Sequence, residues 1–257
     1  VSNGLAGRGV VLTRPAAQVE PLARRIEQAG ARVIRFPTLK ITAVAGSAPL
    51  DAALNAVATA DWTLFTSANA VTHGLSAVRC RMPWPQGPRV AAVGPSTARA
   101  IAREGLGVDL VPADRFDSEG LLAEPALADV AGRRIVIFRG EGGRELLGET
   151  LRARGAEVIH AECYRRELPE VDTRALRAAW RKGEVDVIVL TSVATFDNLR
   201  ELLADAADPL LSTATFVAAS QRLAARVRER YPEARIIVAA SAEDGAIVNA
   251  LEGFATG

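Results

Sequence analysis

Gly7-Arg8-Gly9-Val10-Val11-Leu12-Thr13-Arg14 returns later in the chain as Gly132-Arg133-Arg134-Ile135-Val136-Ile137-Phe138-Arg139. Working outward at the same offset, Gly30-Ala31-Arg32-Val33-Ile34 recurs as Gly155-Ala156-Glu157-Val158-Ile159, and Asp61-Trp62-Thr63-Leu64-Phe65-Thr66-Ser67 as Asp186-Val187-Ile188-Val189-Leu190-Thr191-Ser192. Looser echoes pair Ala91-Ala92-Val93-Gly94 with Val217-Ala218-Ala219-Ser220, and Ser118-Glu119-Gly120 with Glu243-Asp244-Gly245. Chance does not keep this order, so the chain is read as an internal duplication. Each half begins with a short β-branched run, a turn, an amphipathic stretch ending in glycine, and a second run. Leu22, Ile26 and Ala29 fall at helical spacing before Gly30, as Leu147, Leu151 and Ala153 do before Gly155, which makes each glycine a helix stop. The unit is β-α-β, and its repetition predicts an α/β fold with a doubly wound parallel sheet in each half. Pro37 and Pro169 follow the second runs, where a chain could cross from one sheet to another, and are candidate hinges.

The composition narrows the partners. The 257 residues carry Lys+Arg 31 against Asp+Glu 30, a formal net charge of +1, too balanced for strong nonspecific attraction to nucleic acid or anionic lipid. With 49% hydrophobic and 24% charged residues the chain is globular rather than disordered. Apolar runs such as Val10–Leu12 and Val187–Leu190 are far shorter than the roughly 18 residues of a membrane span. The first eight residues lack the apolar segment of a secretory signal, and Cys80 with Cys163 gives no disulfide framework, so a cytoplasmic protein is expected; no long exposed apolar stripe is evident, so a monomer is expected. All basic residues except Lys40 and Lys182 are arginine, which GC-rich coding explains as well as carboxylate binding does.

In open α/β sheets ligands bind beyond the carboxyl ends of the strands, where loops and helix N-termini converge. The loops there are Thr13-Arg14-Pro15, Thr66-Ser67-Ala68-Asn69, Gly94-Pro95-Ser96, Arg139-Gly140-Glu141, Tyr164-Arg165-Arg166, Thr191-Ser192-Val193 and Ser220-Gln221-Arg222. They are rich in hydroxyls and arginine, as a receptor for several carboxylates or phosphates would be. The plainer alternative is that Ser67, Asn69, Ser96 and Ser192 only cap helices. Arg139-Gly140-Glu141-Gly142-Gly143-Arg144-Glu145 imitates a dinucleotide loop, but Glu145 stands where G-x-G-x-x-G needs its third glycine, and no phosphate-loop motif occurs. His73, His160, Cys80 and Cys163 form no metal-ligand pattern, no nucleophile elbow is present, and these four are expected to pack or meet solvent. Aromatic residues are too few, and too little interleaved with basic ones, to stack bases. Tyr164, one of two tyrosines, ends a predicted strand. It is either a packed aromatic at a domain edge or a phenol that donates to a departing oxygen.

Taken together, Leu12-Thr13-Arg14-Pro15, Phe65-Thr66-Ser67-Ala68-Asn69-Ala70-Val71, Ala92-Val93-Gly94-Pro95-Ser96-Thr97-Ala98, Phe138-Arg139-Gly140 with Gly143-Arg144, and Glu162-Cys163-Tyr164-Arg165-Arg166 resemble the uroporphyrinogen-III synthase family along essentially the whole chain. The resemblance implies a lyase without cofactor or metal that cyclises hydroxymethylbilane, a linear tetrapyrrole with eight carboxylates, inverting its last ring and losing water. It implies Tyr164 as the group assisting loss of the hydroxyl. It implies Arg14, Thr66, Ser67, Asn69, Ser96, Arg139, Gly140, Arg144, Thr191, Ser192, Ser220 and Gln221 as binding residues. It also implies two α/β lobes that exchange segments, residues 1–37 with 168–257 and residues 42–163. They would be joined by a two-stranded hinge at 38–41 and 164–167, with the active-site cleft between them. Partners beyond the substrate would be limited to handover from the preceding pathway enzyme, with no nucleic acid and no membrane. The competing reading is a non-catalytic two-lobed binder or sensor of a polycarboxylate or other polyanion.

Overall fold

The structure, a computed structural model, describes residues 5–255; the start of the N-terminal stretch read above for a secretory signal lies outside the described residues. In chain order the strands are β1 (Gly9–Leu12), β2 (Arg32–Arg35), β3 (Lys40–Ala43), β4 (Trp62–Phe65), β5 (Arg89–Ala92), β6 (Arg134–Gly140), β7 (Glu157–Glu167), β8 (Val187–Leu190), β9 (Thr215–Ala218) and β10 (Arg235–Val238). They form two five-stranded sheets, ordered β10-β9-β8-β1-β2 and β3-β7-β6-β4-β5. The chain divides accordingly into one compact unit of Val1–Lys40 with Glu167–Gly257 and another of Ile41–Arg166.

The duplication is visible in the ladders. The series β9-β8-β1-β2 and β5-β4-β6-β7 have the same order, and their strands pair in parallel. Gly9 sits opposite Arg32 in one sheet, and Arg134 opposite Glu157 in the other. Where β10 extends the first sheet, the second has a single parallel bridge, Ala91 to Leu110, on the β5 edge. Even the strand entrances match. Asp186 accepts from the Gly9 N–H at 2.7 Å and from Arg8 at 2.9 Å. Asp61 accepts from the Arg134 N–H and from Arg133, both at 2.8 Å. The backbone bond to Arg134, helped by the guanidinium of Arg133, holds the Asp61 carboxyl below the usual carboxylate range.

Central strands bury both faces, which is why they read as unbroken apolar runs rather than alternating ones. In β8, Val187 and Val189 join one core cluster while Ile188 and Leu190 join the cluster across the sheet. In β6, Val136 and Phe138 face one side, Ile135 and Ile137 the other. Helix Ala16–Gln28 covers its sheet with Val19, Leu22, Ala23 and Ile26, the stripe its periodicity predicts. It stops as expected at Gly30, whose φ of +90° suits a residue without Cβ; Gly155 repeats this at +85°. In each sheet the strand order reverses next to the strand that begins the repeat, between β1 and β8 and between β6 and β4. Such a reversal opens a crevice at the carboxyl ends, and there the loops after β1, β8, β6 and β4 emerge.

Candidate functional site

In the second unit, the loops after β4 and β6 and the end of β7 border a cavity of about 320 Å³ whose lining includes Thr66, Arg139, Gly140, His160, Tyr164 and Arg166. Thr66 is tied to the end of β6, its backbone N–H and its hydroxyl both donating to the Phe138 carbonyl, at 3.2 and 3.1 Å. Ser67 caps helix Ala68–Arg79, its oxygen accepting from the Ala70 N–H at 3.1 Å. The cap leaves the serine hydrogen free to donate elsewhere.

Tyr164 is 1% exposed. Its hydroxyl lies 3.1 Å from Ser67 Oγ and accepts from Arg166 Nη2 at 2.9 Å, and its ring stacks on His73 at 5.8 Å. A Cβ on Gly140 would lie 2.7 Å from the phenol Cζ, so this glycine is required by the close approach of the tyrosine ring. The β6–β7 register shifts between Arg139 and Gly140, which brings Tyr164 opposite that glycine.

Arg139, expected to grip substrate, is instead largely spent inside the protein, with its side chain 4% exposed. Nη1 lies 2.9 Å from Glu145 and 3.2 Å from His160 Nδ1, while Nη2 donates to the Gly143 carbonyl. The glycine loop therefore folds around a buried guanidinium and turns a carbonyl inward, the opposite of a loop that offers N–H groups to phosphate. Since arginine only donates, His160 Nδ1 is the acceptor and its hydrogen sits on Nε2, which is buried without a partner among the described residues. Burial, seconded by Arg139 and opposed by Glu145, lowers the His160 pKa. Arg144 forms a two-pronged pair with Glu119, at 2.6 and 3.1 Å, on the exposed surface. Asn69 lies in the first turn of its helix, and Ser96 in the first turn of Pro95–Arg103. Ser96 does not cap: Gly94 holds that position, because Pro95 takes the first helical place and advances the start.

The first unit carries the corresponding loops. Arg14 is paired with Asp244 at 2.5 Å and donates to the Ala242 carbonyl. Ser192 and Thr195 form a reciprocal capping box, Ser192 Oγ accepting from the Thr195 N–H at 3.2 Å. Ser220 caps helix Gln221–Arg230, and Gln221 is exposed at its first position. Thr191, partly exposed, opens the strand-to-helix turn after β8.

Arg166, His160 and Gly143 join the site beyond the residues that the sequence motifs single out. A signal for Arg166 existed: two residues beyond Tyr164 on a strand, it shares the tyrosine's face. His160 and Gly143 become relevant only through Arg139. Cys163 is a packing residue, as expected. Burial pushes its thiol up to about 12, and its sulfur lies 3.5 and 3.7 Å from backbone carbonyls. Among the described residues no group of metal-binding side chains gathers, and no helix is long and apolar enough to cross a membrane.

A family model described as uroporphyrinogen-III synthase HemD matches residues 20–249. The chain belongs to the uroporphyrinogen-III synthase family. It is 34% identical to the Escherichia coli uroporphyrinogen-III synthase, covering 95% of this chain and 99% of that one, and 35% identical to that of Salmonella typhimurium with the same coverage. Among solved structures, a mutant uroporphyrinogen III synthase from Thermus thermophilus is similar with a TM-score of 0.64 at 22% identity, covering 96% of this chain and 97% of the other. The Helicobacter pylori uroporphyrinogen-III synthetase gives 0.63 at 14%, covering 96% and 99%. At those identities the structural likeness speaks for the fold. The family is one of lyases of porphyrin biosynthesis that need no cofactor, which favours the enzyme over the non-catalytic binder.

Proposed function

We propose that this chain performs the family reaction on hydroxymethylbilane with Tyr164 at its chemical centre. The single observation that carries this is Tyr164, a residue of the cavity lining whose hydroxyl is held between Ser67 and Arg166. Loss of the terminal hydroxyl needs a proton, and a phenol supported by a guanidinium has one to give. The pyrrole nitrogen pushes electrons toward the departing group, so the demand on the acid is modest. The harder task is conformational, because ring closure without guidance gives the uninverted isomer; the protein must bend the chain so that the substituted carbon of the last ring meets the first. Thr66, Ser67, Asn69, Ser96, Gly140 and Arg144 in the second unit, with Arg14, Thr191, Ser192, Ser220 and Gln221 in the first, are proposed to bind substrate carboxylates through hydroxyls, amides and guanidinium groups. Arg139 contributes by holding the glycine loop in shape. We further propose that the protein works as a cytoplasmic monomer and receives its substrate from the preceding pathway enzyme, without nucleic acid or membrane partners.

The test is to supply freshly made hydroxymethylbilane and separate the products. A shift of product from the uninverted isomer I, which forms spontaneously, to predominantly the ring-inverted isomer III is expected. Unchanged isomer I, with substrate bound, would instead make the chain a sensor.

A further inference from the structure

Tyr164 lines the cavity, yet at 1% exposed it offers a substrate little surface of its own. The bonds around it show a route out. Arg166 Nη2 lies 2.9 Å from Tyr164 Oη, and because a guanidinium can only donate, this bond takes a lone pair of the phenol oxygen. Either hydroxyl can donate across the 3.1 Å between Tyr164 Oη and Ser67 Oγ; a relay uses the direction in which the phenol's own hydrogen points to the serine. Ser67 Oγ already accepts from the Ala70 N–H, so with the phenol both of its lone pairs are occupied. Its hydrogen remains unspent. Ser67 is also partly exposed where Tyr164 is buried. Of the two linked hydroxyls, the serine belongs to the more exposed residue. Arg166 is itself exposed, and its guanidinium carbon lies 5.3 Å from the tyrosine ring centre, so its position is held by the ring as well as by the hydroxyl.

We propose that Tyr164 acts through Ser67, with Arg166 as the positioning residue that sets the direction of the relay. The inference rests on the dehydration reading given under Proposed function. In the step, the Ser67 O–H protonates the substrate's terminal hydroxyl while the C–O bond breaks, and its electron pair leaves with water. The pyrrole nitrogen lone pair fills the vacancy at carbon. Ser67 recovers its hydrogen from Tyr164, and the resulting phenolate is held by the Arg166 guanidinium. The new bond makes the substituted carbon of the last ring quaternary, with no hydrogen to lose; its bond to the original bridging methylene then breaks, the electron pair restoring the last pyrrole while the neighbouring pyrrole nitrogen stabilises the freed methylene carbon. That methylene joins the last ring's unsubstituted carbon, and loss of the proton there restores the aromatic pyrrole and returns a proton to the relay. Nothing is oxidised or reduced.

The experiment uses the full chain and freshly made hydroxymethylbilane, with kcat and KM determined separately and melting followed by circular dichroism. Ser67→Asn keeps a helix cap but cannot pass a proton on; Tyr164→Phe keeps the ring without the hydroxyl. Each is expected to lower kcat by roughly 10- to 1000-fold, and the double variant by no more than about threefold beyond the slower single one, because the two groups act as one unit. Arg166→Met is expected to lower kcat by about 10- to 100-fold with KM within about threefold, and Arg166→Lys to restore part of kcat. Multiplying losses in the double variant would overturn the relay, as would wild-type kcat in Ser67→Asn. A raised KM at unchanged kcat in Arg166→Met would make that residue a carboxylate binder instead. Failure of the wild-type chain to form isomer III would remove the underlying reading, an outcome distinct from every variant result.

Discussion

At Tyr164 one hydroxyl joins a guanidinium to a serine at a helix start. Tyr164→Phe deletes that hydroxyl while retaining the ring that fills the space over Gly140. The partners left behind, Ser67 and Arg166, both reach solvent, so the lost bonds cost stability less than about 1 kcal/mol. The expected result is therefore a protein that melts within a few degrees of wild type and turns over much more slowly; normal turnover in a steady-state assay would reduce Tyr164 to a packing residue. Its importance could be guessed from its type and its place at a strand end. Its burial could not, because that depends on the register shift that sets it opposite Gly140. Arg139 shows the converse. An arginine at a strand's carboxyl end reads as a receptor, and only the packed structure shows Glu145, His160 and the Gly143 carbonyl occupying it.

Among the elements, the helix stops at Gly30 and Gly155 were legible because a left-handed residue after an amphipathic run has a strong glycine preference. Gly155 combines a φ of +85° with a neighbour, since an added Cβ would lie 3.3 Å from Ala131 Cα; Gly132 has a φ of +71° with open space around it. Gly155→Ala should therefore lose at least about 1 kcal/mol of stability and more than Gly132→Ala, measured as the shift in urea midpoint. Equal losses would show that backbone strain alone matters and that the contact with Ala131 yields freely. The start of helix Pro95–Arg103 was less legible: a serine after Gly-Pro looks like a cap, but the proline's fixed φ moves the first helical position ahead of Ser96.

For the molecule as a whole, the histidines govern how stability changes between neutral and mildly acidic pH. Burial lowers the pKa of both His73 and His160, with Arg139 adding to the effect at His160. A base whose folded pKa lies below its unfolded value binds its proton better when unfolded. Stability is then complete above the ordinary imidazole pKa of about 6.5 and declines as pH falls through it toward the lower folded values. The expected observation is a urea midpoint that is flat above about pH 7 and drops toward pH 5.5, with a shallower drop in His160→Asn. The carboxylates held below their usual range, Asp61 and Asp117 among them, add their own loss only at lower pH. An unchanged slope in His160→Asn would mean that the buried imidazole accepts its proton in the folded state as easily as in the unfolded one.

The sequence by itself determined the duplication, the parallel α/β character of both halves and the loops from which a site could be built. These follow from local periodicity, from glycine at helix ends and from the repetition of one pattern. Only the tertiary structure decided which charged and hydroxylated side chains on those loops are free. Whether an arginine meets a ligand or a neighbouring carboxylate depends on residues distant in the chain, as with Arg14 and Asp244 or Arg144 and Glu119. Ion pairs and close ring contacts arise when separate elements pack together, and no local pattern of residues encodes them.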